Sequence, residues 1–373
     1  MKHAQALWAE DILAGVERKA ETMARKARNL RFIPYTVEKG DWRPGPMDGN
    51  AWWTNGFYPA LFWQLYAGIG KEAYRDEAIR AQKILDEAFL DFQHLHHDVG
   101  FMWRISSGFQ YDLTGDQAAR GKTLYAAHLL QGRYNPNGFF RAWNGDRVGW
   151  AIIDCMMNLP ILYFAARETG DPRFSLAAEK HTETVIRHFL REDGASEHIV
   201  IFDPADGRVM ERPAGQGYAP GSEWARGQGW AIYGLSLAGR HLHRPDFLDA
   251  AAKTADHALE RLGESSLCPV DFLQPAEPWI YDDCATAIIA CGLMDLAEQT
   301  TEMARGEKYR GKAFRMLQAL AEEHADWTEE NPAILTRCTG SYNTKDHEIP
   351  MIYGDYFFTE GVLRLTGRPW LRW

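Results

Sequence analysis

The chain has 373 residues, 46% of them hydrophobic and 25% charged, which suits a soluble globular protein with a large core. Its 41 Lys and Arg stand against 51 Asp and Glu, a formal net charge of -10, so a nucleic-acid partner is not expected. No apolar run reaches membrane-spanning length, so no membrane partner is expected either. Aromatic residues are abundant, with 14 Trp, 15 Tyr and 18 Phe. Most belong in a core, but indoles also stack on the C–H faces of sugar rings. The five cysteines match no zinc or disulfide spacing. Reduced thiols and a cytoplasmic location are expected, and the first residues hold no apolar stretch of signal-peptide length. The sequence sets no oligomeric state.

In chain order, residues 7–27 read as an amphipathic helix rich in Ala, Glu and Arg. Pro34, Gly40, Pro44, Gly45, Pro46 and Gly49 make a loop. Trp52-Trp53-Thr54-Asn55-Gly56-Phe57 then leads into an apolar helix over 60–66, ended by Gly68 and Gly70, and a second helix runs over about 72–92. A less regular helix covers 112–131. Asp154 opens an apolar helix that ends at Glu168-Thr169-Gly170, and a charged one continues towards Leu190. Trp224-Ala225-Arg226 opens a helix ending near Arg240, with another over 248–262. Asp283 opens the next, to Leu296, followed by 308–324, and Tyr353-Gly354-Asp355 opens the last. Strand signals are sparse, mainly Ile199 to Phe202. These are about six units, each pairing an apolar helix with a more polar one. They predict an all-α toroid, an (α/α)6 barrel, as one domain over 1–373, with an open α-solenoid as the alternative. The polar and aromatic openings would gather around one mouth.

Trp150-Ala151-Ile152-Ile153-Asp154-Cys155-Met156-Met157-Asn158-Leu159-Pro160 places one aspartate in an apolar run. A carboxylate there costs free energy unless it is paired or protonated. Asp154 is either a helix-start carboxylate meeting free N–H groups, or an acid held ready to give up a proton. His94-Leu95-His96-His97-Asp98 invites a metal, yet it lacks an established ligand spacing, and adjacent residues rarely converge on one ion. Asp98 can instead be a second carboxyl group near Asp154. Two close carboxyl groups do not both ionise cheaply, so one is kept protonated. His198 is a surface histidine or a ligand for a sugar hydroxyl or carboxylate. Arg226 lies between Trp224 and Trp230, and with Gln228 it suits an anionic sugar.

These segments resemble the unsaturated glucuronyl hydrolases of glycoside hydrolase family 88. The resemblance runs from about Trp52 to the end of the sequence. It is carried by Trp53-Thr54-Asn55-Gly56-Phe57, His97-Asp98-Val99-Gly100-Phe101-Met102, Ile152-Ile153-Asp154, Arg191-Glu192-Asp193-Gly194, Trp224-Ala225-Arg226-Gly227-Gln228 and Ile352-Tyr353-Gly354-Asp355-Tyr356. The chain departs from the family pattern at Cys155 and over 219–222. The resemblance implies an (α/α)6 barrel, Asp154 as general acid and base, and Asp98 as its partner carboxylate. It implies a pocket of Trp53, Phe57, His97, Trp143, His198, Gln216, Trp224, Arg226, Trp230 and Tyr353. The implied reaction hydrates the C4=C5 bond of a terminal unsaturated uronate on a lyase-derived oligosaccharide, with no metal or organic cofactor. An unsaturated rhamnogalacturonyl hydrolase, an isomerase or epimerase on the same barrel, and a non-catalytic sugar-binding barrel are the alternatives. The loop bearing Ser341, Thr344 and Lys345 offers hydroxyls and a cation, and is expected either to contact the leaving sugar or to be a solvated loop.

Overall fold

The computed structural model describes residues 2–46 and 49–373. Thirteen helices follow in order: α1 (Lys2–Ala27), α2 (Phe57–Ile69), α3 (Glu72–Leu85), α4 (Val99–Trp103), α5 (Ser107–Thr114), α6 (Gln117–Gln131), α7 (Pro160–Thr169), α8 (Arg173–His188), α9 (Ala225–Leu242), α10 (Pro245–Leu262), α11 (Asp283–Gln299), α12 (Met303–Ala319) and α13 (Ile352–Thr366). The inner ring runs α2, α4 with α5, α7, α9, α11 and α13, and it closes because α13 packs back on α2. Outside them lie α3, α6, α8, α10, α12 and α1. This is the (α/α)6 barrel, and its closure excludes the open solenoid.

Composition sorts the two rings. Every residue from Ala225 to Gly239 in α9 is buried, as is every residue from Asp283 to Ala297 in α11. Helices surrounded on all sides need apolar or internally paired residues all round. The outer α8 buries only a stripe, with Phe174, Ala177, Ala178, His181 and Val185 at helical spacing. Inner helices α2, α5, α7 and α13 each end on a glycine in the left-handed region (Gly70, Gly115, Gly170 and Gly367), a conformation that costs glycine nothing. Between the inner helices Phe57, Phe101, Trp230 and Phe357 pack into one aromatic cluster, with Trp373 stacked on Phe357 at 5.7 Å.

Three local expectations change. Asp154 does not open the α-helix. It lies in a 3-10 segment, Ile153–Met157, and α7 starts at Pro160, whose missing N–H suits the first turn. The expected helix over 112–131 breaks at Gly115 into α5 and α6, because Asp116 caps α6 by accepting from Ala118 and Ala119 N–H. The one over about 72–92 stops at Leu85 and continues as a 3-10 segment with non-helical backbone at Asp91. A small antiparallel sheet then positions Asp154. Trp150–Ile152 pairs with Ile199–Phe202, and Ile153 N–H donates to His198 O at 3.0 Å. The segment lies tight on α9, where a Cβ on Gly234 would come within 2.9 Å of the Met156 backbone. All five cysteines are buried and unpaired. Among the described residues no helix is long and apolar enough to cross a membrane.

Asp355, at the start of α13, is fully buried and accepts N–H groups of Leu335 and Ile334 at 2.8 and 3.1 Å. Burial pushes its pKa from 3.8 up to about 7, against those hydrogen bonds. A folded pKa above the unfolded one stabilises fully below about pH 4, and the contribution is lost as pH rises through about 7. Wild type is expected to lose stability relative to Asp355→Asn between about pH 4 and 7, then to run parallel above it, as read by urea unfolding at each pH. A constant gap across that window would remove Asp355 as the titrating group.

Candidate active site

A cavity of about 490 Å³ is walled by Trp53, Trp143, Asp98, Asp154, Gln216 and Arg147, among others. Asp154 is 8% exposed, and its Oδ2 has no hydrogen-bond partner among the described residues. His198 Nε2 lies 3.5 Å from it. His198 Nδ1 accepts the Gln216 N–H at 2.9 Å, so a neutral His198 carries its proton on Nε2, facing Asp154. The ring packs on Trp224, with centres 4.3 Å apart. Only glycine fits at position 215: its φ is +61°, and a Cβ would lie 2.0 Å from His198 Nδ1.

Asp98 precedes α4 and is 7% exposed. Its Oδ2 lies 3.1 Å from His96 Nδ1 and 3.3 Å from His97 Nε2. Burial opposes its charge, but the two imidazoles outweigh that and hold the carboxyl well below the usual range. Asp98 is therefore held as a carboxylate. Asn158 links the two segments. Its Nδ2 donates to Asp98 Oδ1 at 3.0 Å and lies 3.3 Å from the Asp154 carbonyl, while its Oδ1 accepts Phe101 N–H at 2.7 Å. A Cβ on Gly100 would lie 2.5 Å from Asn158 O, so the two backbones meet without room for a side chain.

The other expected residues fall into layers. Trp53, Trp143 and Gln216 line the cavity with the two aspartates. His97 is fully buried behind Asp98, and His198 stands beside Asp154. Phe57, Trp230 and Tyr353 do not reach the cavity wall; they are buried in the aromatic cluster beneath it, with Tyr353 5.0 Å from Trp53. Arg226 is also buried rather than offered to a ligand. It donates to Asp282 at 2.8 Å and to Thr339 and Gly340 carbonyls at 2.7 and 2.6 Å, between the rings of Trp224 and Tyr353. A guanidinium this deep requires its donors met from within. Burial disfavours its charge, but the Asp282 carboxylate outweighs that and keeps it charged.

The 341–345 loop is largely exposed, with only Ser341 buried. Thr344 Oγ1 donates to Ser341 O at 3.1 Å, and Ser341 Oγ approaches Gln216 O at 3.4 Å. Lys345 is exposed, and none of the three lines the cavity. His94 pairs with Asp91 at 2.6 Å and lines the cavity without joining the possible metal group of His96, His97 and Asp98. His96, His97 and Asp98 do offer ligand atoms within 4.8 Å of one another. So do Asp193, Glu223 and His257, where Arg191 and Arg261 already pair with Glu223. Sequence reading missed Asn158, His96, Asp282 and Arg147. Asn158 carried one weak signal, its place four residues after Asp154.

Paired carboxyl groups among indoles and imidazoles, at the cavity of an (α/α)6 barrel, define a helical-barrel glycoside hydrolase. The profile described as Glycosyl Hydrolase Family 88 matches residues 32–359, and the chain belongs to that family. It is 36% identical to an unsaturated glucuronyl hydrolase of Bacillus sp. (strain GL1), over 91% of this chain and 93% of that one. It is 32% identical to an unsaturated chondroitin disaccharide hydrolase of Streptococcus pneumoniae (strain ATCC BAA-255 / R6), over 86% and 83%. The crystal structure of a Bacillus sp. GL1 unsaturated glucuronyl hydrolase superposes with a TM-score of 0.89 at 32% identity, covering 94% of this chain and 96% of that one.

Removing the Asn158 amide orphans Phe101 N–H and frees Asp98. Asn158→Ala is expected to lose about 1–3 kcal/mol of stability in urea unfolding, with a fall in turnover at least tenfold. Unchanged stability and rate together would show that the bridge holds nothing in place.

Proposed function

We propose that this protein removes the terminal Δ4,5-unsaturated uronic acid from lyase-generated oligosaccharides by hydrating the C4=C5 bond. In this reading the whole chain is one catalytic barrel. The observation that carries it is the contrast between the two aspartates. Asp98 is held as a carboxylate by two imidazoles, while Asp154 keeps Oδ2 unpartnered in the cavity wall. Asp154 lines the cavity while its Oδ2 is buried without a hydrogen-bond partner among the described residues, so no internal contact commits the carboxyl proton and the group is placed to give it to a substrate atom.

The unsaturated uronate is a vinyl ether, whose C4 accepts a proton. Asp154 gives its proton to C4, and positive charge develops at C5 and the ring oxygen. Asp154, now a carboxylate, takes a proton from water as the water oxygen bonds to C5, which restores the acid. The resulting hemiketal opens and releases the next sugar. Asp98 supplies a fixed negative charge in the same cavity wall and is the partner carboxylate in this reading. His198 N–H stabilises the Asp154 carboxylate when it forms. Trp53 and Trp143 supply faces on which the sugar stacks. Arg226 acts from behind by fixing Trp224 and the 339–340 backbone. Ordinary glycoside hydrolysis instead sets two carboxyl groups across the anomeric carbon.

Two results follow. The protein should abolish the ultraviolet absorbance of a Δ4,5-unsaturated uronyl disaccharide and leave the saturated counterpart intact; equal cleavage of both would sink the hydration reading. A panel of glycosaminoglycan- and pectin-derived disaccharides separates the glucuronyl from the rhamnogalacturonyl alternative. Asp154→Asn should lower kcat by about 10²–10⁴-fold while still binding substrate, since the amide keeps the shape but carries no acidic proton. Asp98→Asn should also be severely impaired, and near-normal kcat in Asp154→Asn would move the acid elsewhere.

A further inference from the structure

Arg147 is a cavity-wall residue with no role in the reaction above. Its guanidinium carbon lies 5.1 Å from the ring centre of Trp143 and 5.2 Å from that of Trp150. Among the described residues its side chain makes no hydrogen bond and no ion pair, so its N–H edge is available. Two indoles restrain the plane of the guanidinium without using its donors.

The turn that carries it is tied down. Arg133 donates to Asn144 Oδ1, Trp143 O and Ala142 O at 2.9, 2.9 and 3.1 Å. Asn144 in turn donates to Gln93 O at 2.7 Å and Leu95 O at 3.1 Å, and Arg141 donates to Gly145 O at 2.6 Å. The turn that presents the cation is thus ordered before any ligand arrives, which lowers the entropy cost of using it.

The other cations near this region are not available to the cavity. Arg226 is saturated by Asp282 and two carbonyls, and Lys345 is outside the lining. Depth decides which part of a substrate meets Arg147. Asp98 and Asp154 are 7% and 8% exposed, whereas Arg147 is exposed at the rim. A ring that reaches Asp154 must be the deepest one, so the rim faces the sugar that follows it.

We propose that Arg147 is a specificity residue that recognises an anionic substituent, a sulfate ester or a carboxylate, on the leaving sugar. The proposal rests on the hydration reading for its substrate geometry. A planar guanidinium pairs with either anion through two parallel N–H donors. Selectivity for the second sugar then lies on the 143–150 turn rather than on the 341–345 loop.

The test uses the full chain and three disaccharides that share the unsaturated uronate. Their second sugar is neutral, sulfated or carboxylate-bearing. Arg147→Gln should lower the anionic-to-neutral ratio of kcat/KM about tenfold, with Arg147→Lys in between, and the ratio should fall with added salt in wild type but not in Arg147→Gln. The sulfate and carboxylate arms identify which anion is read. Loss by one common factor for all three would put Arg147 on the uronate and overturn the proposal, as would an unchanged ratio. The same ratio is read as Kd in Asp154→Asn with and without Arg147→Gln. That measurement tests Arg147 even if turnover of the unsaturated bond fails, so the two readings fail separately.

Discussion

One carboxamide holds the two halves of this site together. Asn158 accepts the Phe101 N–H, donates to Asp98 and lies against the Asp154 carbonyl. Asp98 and Asp154 are 56 residues apart in number, on different segments, yet their relative position passes through this one buried side chain. Buried polar groups have few acceptable arrangements, because an unmet donor or acceptor costs about 1–3 kcal/mol. The amide therefore specifies register as well as contact. Gly100 and Gly234 allow the same closeness from two other directions, against Asn158 and Met156.

Around that link the electrostatics are divided. Imidazoles flank Asp98 and keep it charged, while Asp154 Oδ2 has no hydrogen-bond partner among the described residues and His198 Nε2 stands 3.5 Å away. The tautomer of His198 is itself set from outside, by the Gln216 N–H that its Nδ1 accepts. Gln216 also donates from Nε2 to Gly340 O, the carbonyl that Arg226 binds. The chain of contacts thus runs from the Arg226–Asp282 pair, through the 339–342 backbone and Gln216, to the ring beside Asp154. A buried ion pair is weak evidence for stability, but it is a firm way to fix one arrangement of loops.

The aromatic richness resolves into two uses. Phe57, Phe101, Trp230, Phe357 and Trp373 are core, and their edge and stacked contacts fill the space between the inner helices. Trp53, Trp143 and Trp150 lie nearer the open side, where Trp53 and Trp143 form cavity wall and Trp143 and Trp150 flank an arginine. The same residue type serves both because an indole gives large apolar area with little conformational entropy to lose.

Much of the fold is legible in the sequence. Helical periodicity, glycine stops and the alternation of apolar with amphipathic helices are local properties, and they indicated six pairs and one mouth. The family motifs singled out Asp98 and Asp154, and an aspartate inside an apolar run is visible to simple inspection. Local pattern was misleading where one residue overrode a run: Pro160 delayed α7, and Asp116 with Gly115 split the helix over 112–131. What the sequence by itself determined is the run of paired helices and their apolar faces, since each follows from neighbours in the chain. Only the tertiary structure decided that Arg226 is spent on Asp282, that Asn158 bridges the aspartates, and that Arg147 stands open between two indoles. Those facts depend on which distant donors and acceptors meet once the ring closes, and a buried polar group takes its role from the partners it finds there.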